Sequence, residues 1–398
     1  MPEREIPLPT VLDPGGRTIG EEERAAVLRV LDSAVLCSAF GSEARSLEAE
    51  TAALYGRPHA VACSSGTAAL HLAVAACGVG PGDEVVTTPI SDFGTVAPVL
   101  AQGAVPVFAD VRAEDGNLDP DAVEAAITPR TKAVIAVHLF GGAADTARLR
   151  EVCDRHGLPL VEDCAQAWLG EDASGRLLGT VGDVACLSLQ QFKHITAGDG
   201  GLAVTGDPER ARRMRLFMDK GWDRSEGRVH REMGLNYRMP ELVAAVARAQ
   251  LRKVGGVVRA RREAAGRLLA ALEGVEGVAL AGEPAGHAWW MFPLLVGDNA
   301  RWAEGLAAQG VPGAPRLPGA PPVRQPGGAG RPGGAVPARG GADRPDTAGA
   351  AVERGVHAGA RGPDRRRPAP GRPAGGRRVS RRAGVSRRRP PRRGVPGR

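Results

Sequence analysis

A three-layer α/β architecture around a mostly parallel sheet is what this chain predicts, on three observations. Short runs rich in Val, Ile and Ala recur between Ala60 and Thr205. Helical patterns of about 10–15 residues separate most of them. Gly, Pro or Asp punctuates the junctions.

In chain order, Glu21 to Leu36 sets Ala25, Val27, Leu28, Val30 and Leu31 among charges, the mark of an amphipathic helix. Ala60-Val-Ala-Cys63 reads as a strand that runs into Ser64-Ser-Gly-Thr67 and a long alanine-rich helix ending near Gly78. Pro81-Gly-Asp83 makes a turn before the strand Glu84-Val-Val-Thr-Thr88. A helix from Thr95, a strand over Val105–Phe108, a helix over Pro120–Ile127 and a strand over Ala133–His138 come next. The helix Asp145–His156 leads to a strand over Leu158–Glu162, and strands over Val184–Leu189 and Leu202–Thr205 complete the series. Sheets of this kind bind ligands beyond the carboxyl ends of their strands. Asp163 and Ser64–Thr67 both fall there.

The 398-residue length allows one large or two ordinary domains, and the net charge of +7 conceals two unlike parts. Residues 311–398 hold 21 Arg, no Lys and four acids, which leaves 31 basic and 41 acidic residues in the first 310. An acidic body with a basic tail is not a nucleic-acid-binding domain, although the tail alone could adhere to polyanions. The six cysteines form no CxxC pair, and four lie in apolar or Ala-rich runs, so reduced, buried thiols are expected rather than disulfides or zinc ligands. Met1-Pro-Glu-Arg-Glu5 lacks a signal-peptide pattern, and no apolar run nears the ~18 residues of a membrane span. A cytoplasmic protein is the expectation.

From about Val311 the character changes. The last 88 residues contain no Ile, Phe, Tyr, Trp, Met, Cys, Asn or Lys, and one Leu. Without an apolar period, such a segment cannot bury enough surface to offset the entropy of ordering. Its dominant residues, Gly, Pro, Ala and Arg, all have GC-rich codons. Two readings follow: out-of-frame translation after a slip near codon 311, or a genuine disordered basic tail. The slip is the preferred one, because a genuine tail would not interrupt a domain mid-fold.

The chemistry resides in a set of residues whose order matters more than any member. Lys193 lies in Ser188-Leu-Gln-Gln-Phe-Lys193, thirty residues after Asp163 in Val161-Glu-Asp-Cys-Ala-Gln166. A lysine and a strand-end carboxylate are what a pyridoxal phosphate (PLP) enzyme requires. The amine forms a Schiff base with the cofactor aldehyde, and the acid keeps the pyridine nitrogen protonated so that the ring can accept carbanion electrons. Ser65-Gly-Thr-Ala68, between a strand and a helix, offers glycine's close approach and a positive helix end to a phosphate. Gln166 could donate a hydrogen bond to a ring hydroxyl. Each residue has a plainer reading on its own: Ser65 an N-cap, Asp163 a cap or surface acid, Lys193 a solvated lysine, Gly198-Asp-Gly-Gly201 a turn, Phe93 a core aromatic. The succession of phosphate loop, acid, serine, lysine and glycine turn raises them together.

In that succession the chain resembles the DegT/DnrJ/EryC1/StrS-type sugar aminotransferases, a branch of the fold-type I PLP enzymes, from about Gly20 to Leu295. The matching runs are Ser64–Leu70, Gly80-Pro-Gly-Asp-Glu-Val85, His138-Leu-Phe-Gly141, Glu162–Ala167, Ser188–Gly201 and Asn236-Tyr-Arg-Met-Pro-Glu-Leu242. The resemblance implies that Lys193 is the Schiff-base lysine and proton shuttle, that Asp163 pairs with the pyridinium nitrogen, and that Gln166 contacts the phenolic oxygen. Ser188 and the amides of Gly66, Thr67 and Ala68 would hold the phosphate. Phe93 would stack on the ring, and Asn236 would reach the phosphate across a homodimer interface. His138 matches a recurrent position without an assigned role, and His194 is expected to be structural. Lys193 argues against the family's dehydratases, which carry histidine there.

The implied layout is a PLP-binding large domain with an N-terminal helical arm over 1–250, the start of a small C-terminal domain over 251–310, and the tail over 311–398. Two departures stand out: Asp199 replaces the usual glutamate, and the match stops as the small domain begins, which would leave apolar surface exposed. The implied reaction moves an amino group from glutamate or glutamine to a keto-sugar nucleotide or cyclitol ketone. The alternative is a catalytically impaired PLP-binding or regulatory paralogue.

Overall fold

The structure is a computed structural model that describes residues 17–224, 226–227, 229–311, 313–315 and 350–352. All of these belong to one compact unit; a second unit, residues 359–398, lies outside the described residues, as does most of the expected tail.

The chain opens with α1 (Glu21–Ser33), whose Glu23 carboxylate accepts the Gly20 N–H at 2.7 Å. It stops short of Leu36 because Ala34 turns left-handed (φ 56°). Next, α2 (Glu43–Leu54) precedes β1 (His59–Cys63) and α3 (Gly66–Ala76). The helix expected from Thr95 is a 3-10 turn over Phe93–Thr95 followed by the short α4 (Ala97–Ala101); these lie between β2 (Glu84–Thr87) and β3 (Val105–Phe108). Then come α5 (Pro120–Ala126), β4 (Thr131–Val137), α6 (Thr146–His156), β5 (Leu160–Asp163), β6 (Val184–Ser188) and β7 (Gly201–Thr205). Further on lie α7 (Pro208–Met218), a hairpin of β8 (Trp222–Asp223) and β9 (Val229–His230), α8 (Glu241–Leu251) and α9 (Val254–Leu272).

All seven expected strands join one sheet in the order β1-β7-β6-β5-β4-β2-β3. Only β7 opposes its neighbours; β2 through β6 pair in parallel. Strands β5, β6 and β7 are buried along their whole length, as helices on both faces demand. Cores lie on each side: Leu47, Trp168, Leu187 and Leu189 belong to one, Leu72, Val74, Ile135 and Val161 to another. The C-terminal ends of β1, β4, β5 and β6 share one edge, and there the signature residues gather.

A second sheet holds β10 (Val278–Leu280) and β11 (Phe292–Val296), followed by α10 (Asn299–Ala308), with β13 (Ala350–Val352) beside β11 and β12 (Gly313–Pro315) paired to β13. Gln309 caps the C-terminal end of α10. A cleft of about 390 Å³ opens between α9 and this sheet, lined by Leu269, Leu272, Val278, Leu280 and Leu294.

Two buried carboxylates hold the large sheet's surroundings. Glu241, at the start of α8, accepts the Glu43 and Ala44 amides at 2.7 and 3.1 Å and so caps α2 from 198 residues away. A side chain at Gly41 would collide with it, since a Cβ there falls 2.1 Å from the Glu241 carboxylate. Glu162 accepts from His138 Nε2 at 3.0 Å and from the Gly179, Val181 and Gly182 amides at 2.8, 2.9 and 2.5 Å. Burial alone would raise its pKa; the His138 bond and the backbone amides outweigh that and hold it below the ordinary carboxylate range.

Glu241→Ala is expected to lower unfolding stability by about 2–4 kcal/mol, from the loss of two charge-assisted bonds; a urea midpoint unchanged from wild type contradicts the capping role. A carboxyl whose folded pKa is depressed contributes stability above its unfolded pKa of about 4.3 and loses it as pH falls through the folded value. Glu162→Gln should therefore cost about 3 kcal/mol at neutral pH and flatten the acid limb of the stability profile, measured by denaturation from pH 7 to pH 2.

Candidate active site

The first wall is the strand-to-helix turn after β1. Ser65 caps α3, its hydroxyl accepting the Ala68 N–H at 3.0 Å. Of the three expected phosphate donors, Ala68 is thus committed to the cap, while Gly66 and Thr67 occupy the first turn, where N–H groups have no intrahelical acceptor. A Cβ on Gly66 would lie 2.8 Å from the Ser188 Cβ and 3.0 Å from its Oγ, so glycine is what lets this turn meet the end of β6. Gly201 is equally confined, 2.2 Å from the Ser65 carbonyl by the same construction. Thr67 approaches from the other side, with Oγ1 2.7 Å from a Cβ on Gly94.

The second wall is acidic. Asp163 ends β5 and is buried; its carboxylate accepts the Thr95 hydroxyl at 2.8 Å and the Ala165 N–H at 3.1 Å. Ser91 Oγ lies 2.7 Å from Thr95 Oγ1, extending the chain of hydroxyls. Burial pushes the Asp163 pKa up, opposed by those two bonds and by the charge of Lys193. Burial likewise pushes the Lys193 amine down, opposed by Asp163 and Asp92. Each group is therefore shifted toward neutrality, and each is a charge that restrains the other's shift. The two signature residues lie close enough at the strand ends for each to feel the other's charge.

The third wall comes from the His138–Gly141 turn. Phe140 adopts φ 58° there, and its N–H donates to Gln166 Oε1 at 2.6 Å. That bond occupies the carboxamide oxygen and leaves the amino group as the pole able to donate. The segment after β10 docks onto the same turn: Trp290 and Met291 amides donate to the Phe140 carbonyl at 2.9 and 3.2 Å. Trp290 also donates its Nε1–H to the Phe192 carbonyl at 2.9 Å, and its ring lies 4.2 Å from the Lys193 Nζ. Neither Trp290 nor Thr95 was singled out by sequence. Thr95 carries no motif signal, and Trp290 reaches the lysine only through the tertiary fold.

The histidines are structural. His138 Nδ1 accepts the Ala144 N–H at 3.2 Å while Nε2 serves Glu162. Cys164 lies within 4.8 Å of that pair, but the lone pairs of His138 and Glu162 are already engaged, so the trio is a clamp. His194 is buried, its pKa pushed well down by burial, and donates Nε2–H to the Ala288 carbonyl at 2.8 Å. Phe93, 42% exposed, is open to solvent, as are Thr67 and Asn236. Asn236 is bridged through its backbone to Asp219.

These residues fit PLP. A backbone turn that a single Cβ would fill suits a phosphate at a helix start, the enclosed Asp163 suits a ring nitrogen, and Lys193 supplies the amine opposite. The DegT/DnrJ/EryC1/StrS aminotransferase family model matches residues 17–315. The UDP-N-acetyl-3-dehydro-alpha-D-glucosamine 3-aminotransferase of Acidithiobacillus ferrooxidans is 38% identical over 298 residues, covering 74% of this chain and 79% of that protein. The dTDP-3-amino-3,4,6-trideoxy-alpha-D-glucose transaminase of Micromonospora megalomicea is 42% identical over 250 residues, covering 62% and 66%. The chain also resembles the X-ray structure of Streptomyces venezuelae DesV in complex with a ketimine intermediate, at TM-score 0.74 and 36% identity, over 84% of this chain and 89% of that one. The chain therefore belongs to the DegT/DnrJ/EryC1/StrS aminotransferase family and is a PLP-dependent aminotransferase.

Proposed function

We propose that this enzyme transfers an amino group from glutamate or glutamine to a ketone on a nucleotide-linked sugar or a cyclitol, in amino-sugar or antibiotic biosynthesis. The buried Asp163 carboxylate, fixed by Thr95 and Ala165 within reach of the Lys193 charge, carries the reading of the site, beside the Gly66 turn that meets Ser188. The acceptor class rests on the relatives above and on the L-glutamine:2-deoxy-scyllo-inosose aminotransferase of Streptomyces kanamyceticus, 46% identical over 209 residues, which cover 48% of this chain and 47% of that protein.

Bound PLP supplies an electron sink for the carbanion at the substrate α-carbon. Lys193 holds the cofactor through its ε-amine, then takes the α-proton and returns it at the cofactor's C4′. Asp163, fixed by Thr95 and Ala165, presents a carboxylate to the pyridine nitrogen. Gln166, with its oxygen held by Phe140, donates to the phenolic oxygen. The Gly66 and Thr67 amides and the Ser188 hydroxyl bind the phosphate. Phe93 covers a ring face. Asn236 serves the phosphate of a second protomer, so the working unit is a homodimer with shared sites. Its exposed position in a single chain supports that role.

The same proposal divides the chain into a large domain over 1–250, the start of a small domain over 251–310, and a tail over 311–398 translated out of frame. The family match ending at residue 315 and the apolar cleft beside α9 support this division. A cytoplasmic location belongs to the same proposal; no helix among the described residues is long and apolar enough to cross a membrane.

Borohydride treatment of the loaded enzyme should fix the cofactor to the peptide containing Lys193, detected by mass spectrometry, and Lys193→Ala should abolish the adduct. Label on another lysine rejects the assignment. Asp163→Asn should retain cofactor yet lose about 10²–10⁴-fold in kcat. Incubation with glutamate or glutamine and a panel of keto-sugar nucleotides and 2-deoxy-scyllo-inosose tests the substrate class. A loaded enzyme that aminates none of them overturns it.

A further inference from the structure

The contact between Lys193 and Trp290 has no counterpart in the roles assigned above. Its geometry is built rather than incidental. Trp290 is held at three points: its indole Nε1–H donates to the Phe192 carbonyl at 2.9 Å, its backbone N–H donates to the Phe140 carbonyl at 2.9 Å, and its backbone carbonyl accepts from Arg261 Nη1 at 3.1 Å. Partly buried, it packs with Ile90 against Leu139, Phe140 and Met291. Because Phe192 directly precedes Lys193, the ring is tied to the lysine's own loop, and the Nζ sits 4.2 Å from its centroid. A ring face attracts an ammonium and is indifferent to a neutral amine.

We propose that Trp290 is a positioning residue for Lys193, its indole face holding the ε-ammonium while the lysine is detached from the cofactor. This inference rests on the reading of Lys193 as the cofactor-bearing residue. Its consequence concerns the proton. Once Lys193 takes up a proton in that role, its amine is an ammonium that would have to stay in place until the proton is handed on. Trp290 favours that charged form and restricts where it can wander. The charges facing Lys193 are Asp163 from the end of β5 and Asp92 from the turn before the 3-10 helix, and both act in the same direction as the ring. His194 is turned to Ala288 and is held neutral by its burial. Burial alone opposes the ammonium.

The test uses the full chain freed of cofactor, with Trp290→Leu and Trp290→Phe, and follows acetic anhydride labelling of Lys193 by mass spectrometry across pH. A neutral amine reacts and an ammonium does not. Trp290→Leu should shift the labelling profile to lower pH and raise the rate near pH 7 about threefold, the change expected from one lost cation–π contact. Trp290→Phe, which keeps a π face, should fall between, and all three proteins should converge at high pH. An unshifted profile overturns the proposal, as does a rise that is equal at every pH, which would mean that the ring merely shields the lysine. If borohydride fixes the cofactor to another lysine while the labelling shift persists, the contact stands and the reading of the site fails.

Discussion

Two adjacent carboxylates at the end of β5 set the terms for the rest of the molecule. Successive side chains of a strand point to opposite faces, so Glu162 and Asp163 cannot share surroundings. Glu162 turns to His138 and the 179–182 loop, where three backbone amides and an imidazole satisfy it. Asp163 turns to the open edge, where a hydroxyl, one amide and the charge of Lys193 surround it. The first acid is stabilised as an anion; the second is pushed toward protonation. One strand end thereby carries a structural clamp and a functional group side by side. Any slip of register would exchange them.

Around that pair the site is assembled from four chain segments far apart in sequence. The turn after β1 meets the end of β6 because residue 66 has no side chain. The 138–141 turn orients Gln166 through Phe140 and receives the 288–291 segment on the same residue's carbonyl. That segment then reaches Lys193 by way of Trp290 and His194 by way of Ala288. The segment leading into β11 is therefore coupled to the Lys193 loop through hydrogen bonds.

Much of this was legible in the residues themselves. Every strand of the large sheet was located because β-branched runs and turn residues are properties of near neighbours. The succession from Ser65 to Lys193 likewise identified the chemistry before any coordinate was known. The helix expected from Thr95 was misjudged: Pro98 and Gly103 confine it to a single short turn, with a 3-10 segment that aims Thr95 at Asp163. The whole of α2 went unnoticed, since Ser42 makes no side-chain cap and the helix depends on Glu241.

What the sequence determined by itself was the layered α/β plan and the aminotransferase family, both of which leave periodic or ordered traces along the chain. Only the tertiary structure decided which of two neighbouring acids faces the site, which pole of Gln166 is free, and that an indole from the segment before β11 lies beside the lysine. Those outcomes depend on hydrogen bonds and ring contacts between residues far apart in the chain, such as Phe192 and Trp290 at 98 positions, and pairing over such distances writes no pattern into the local sequence.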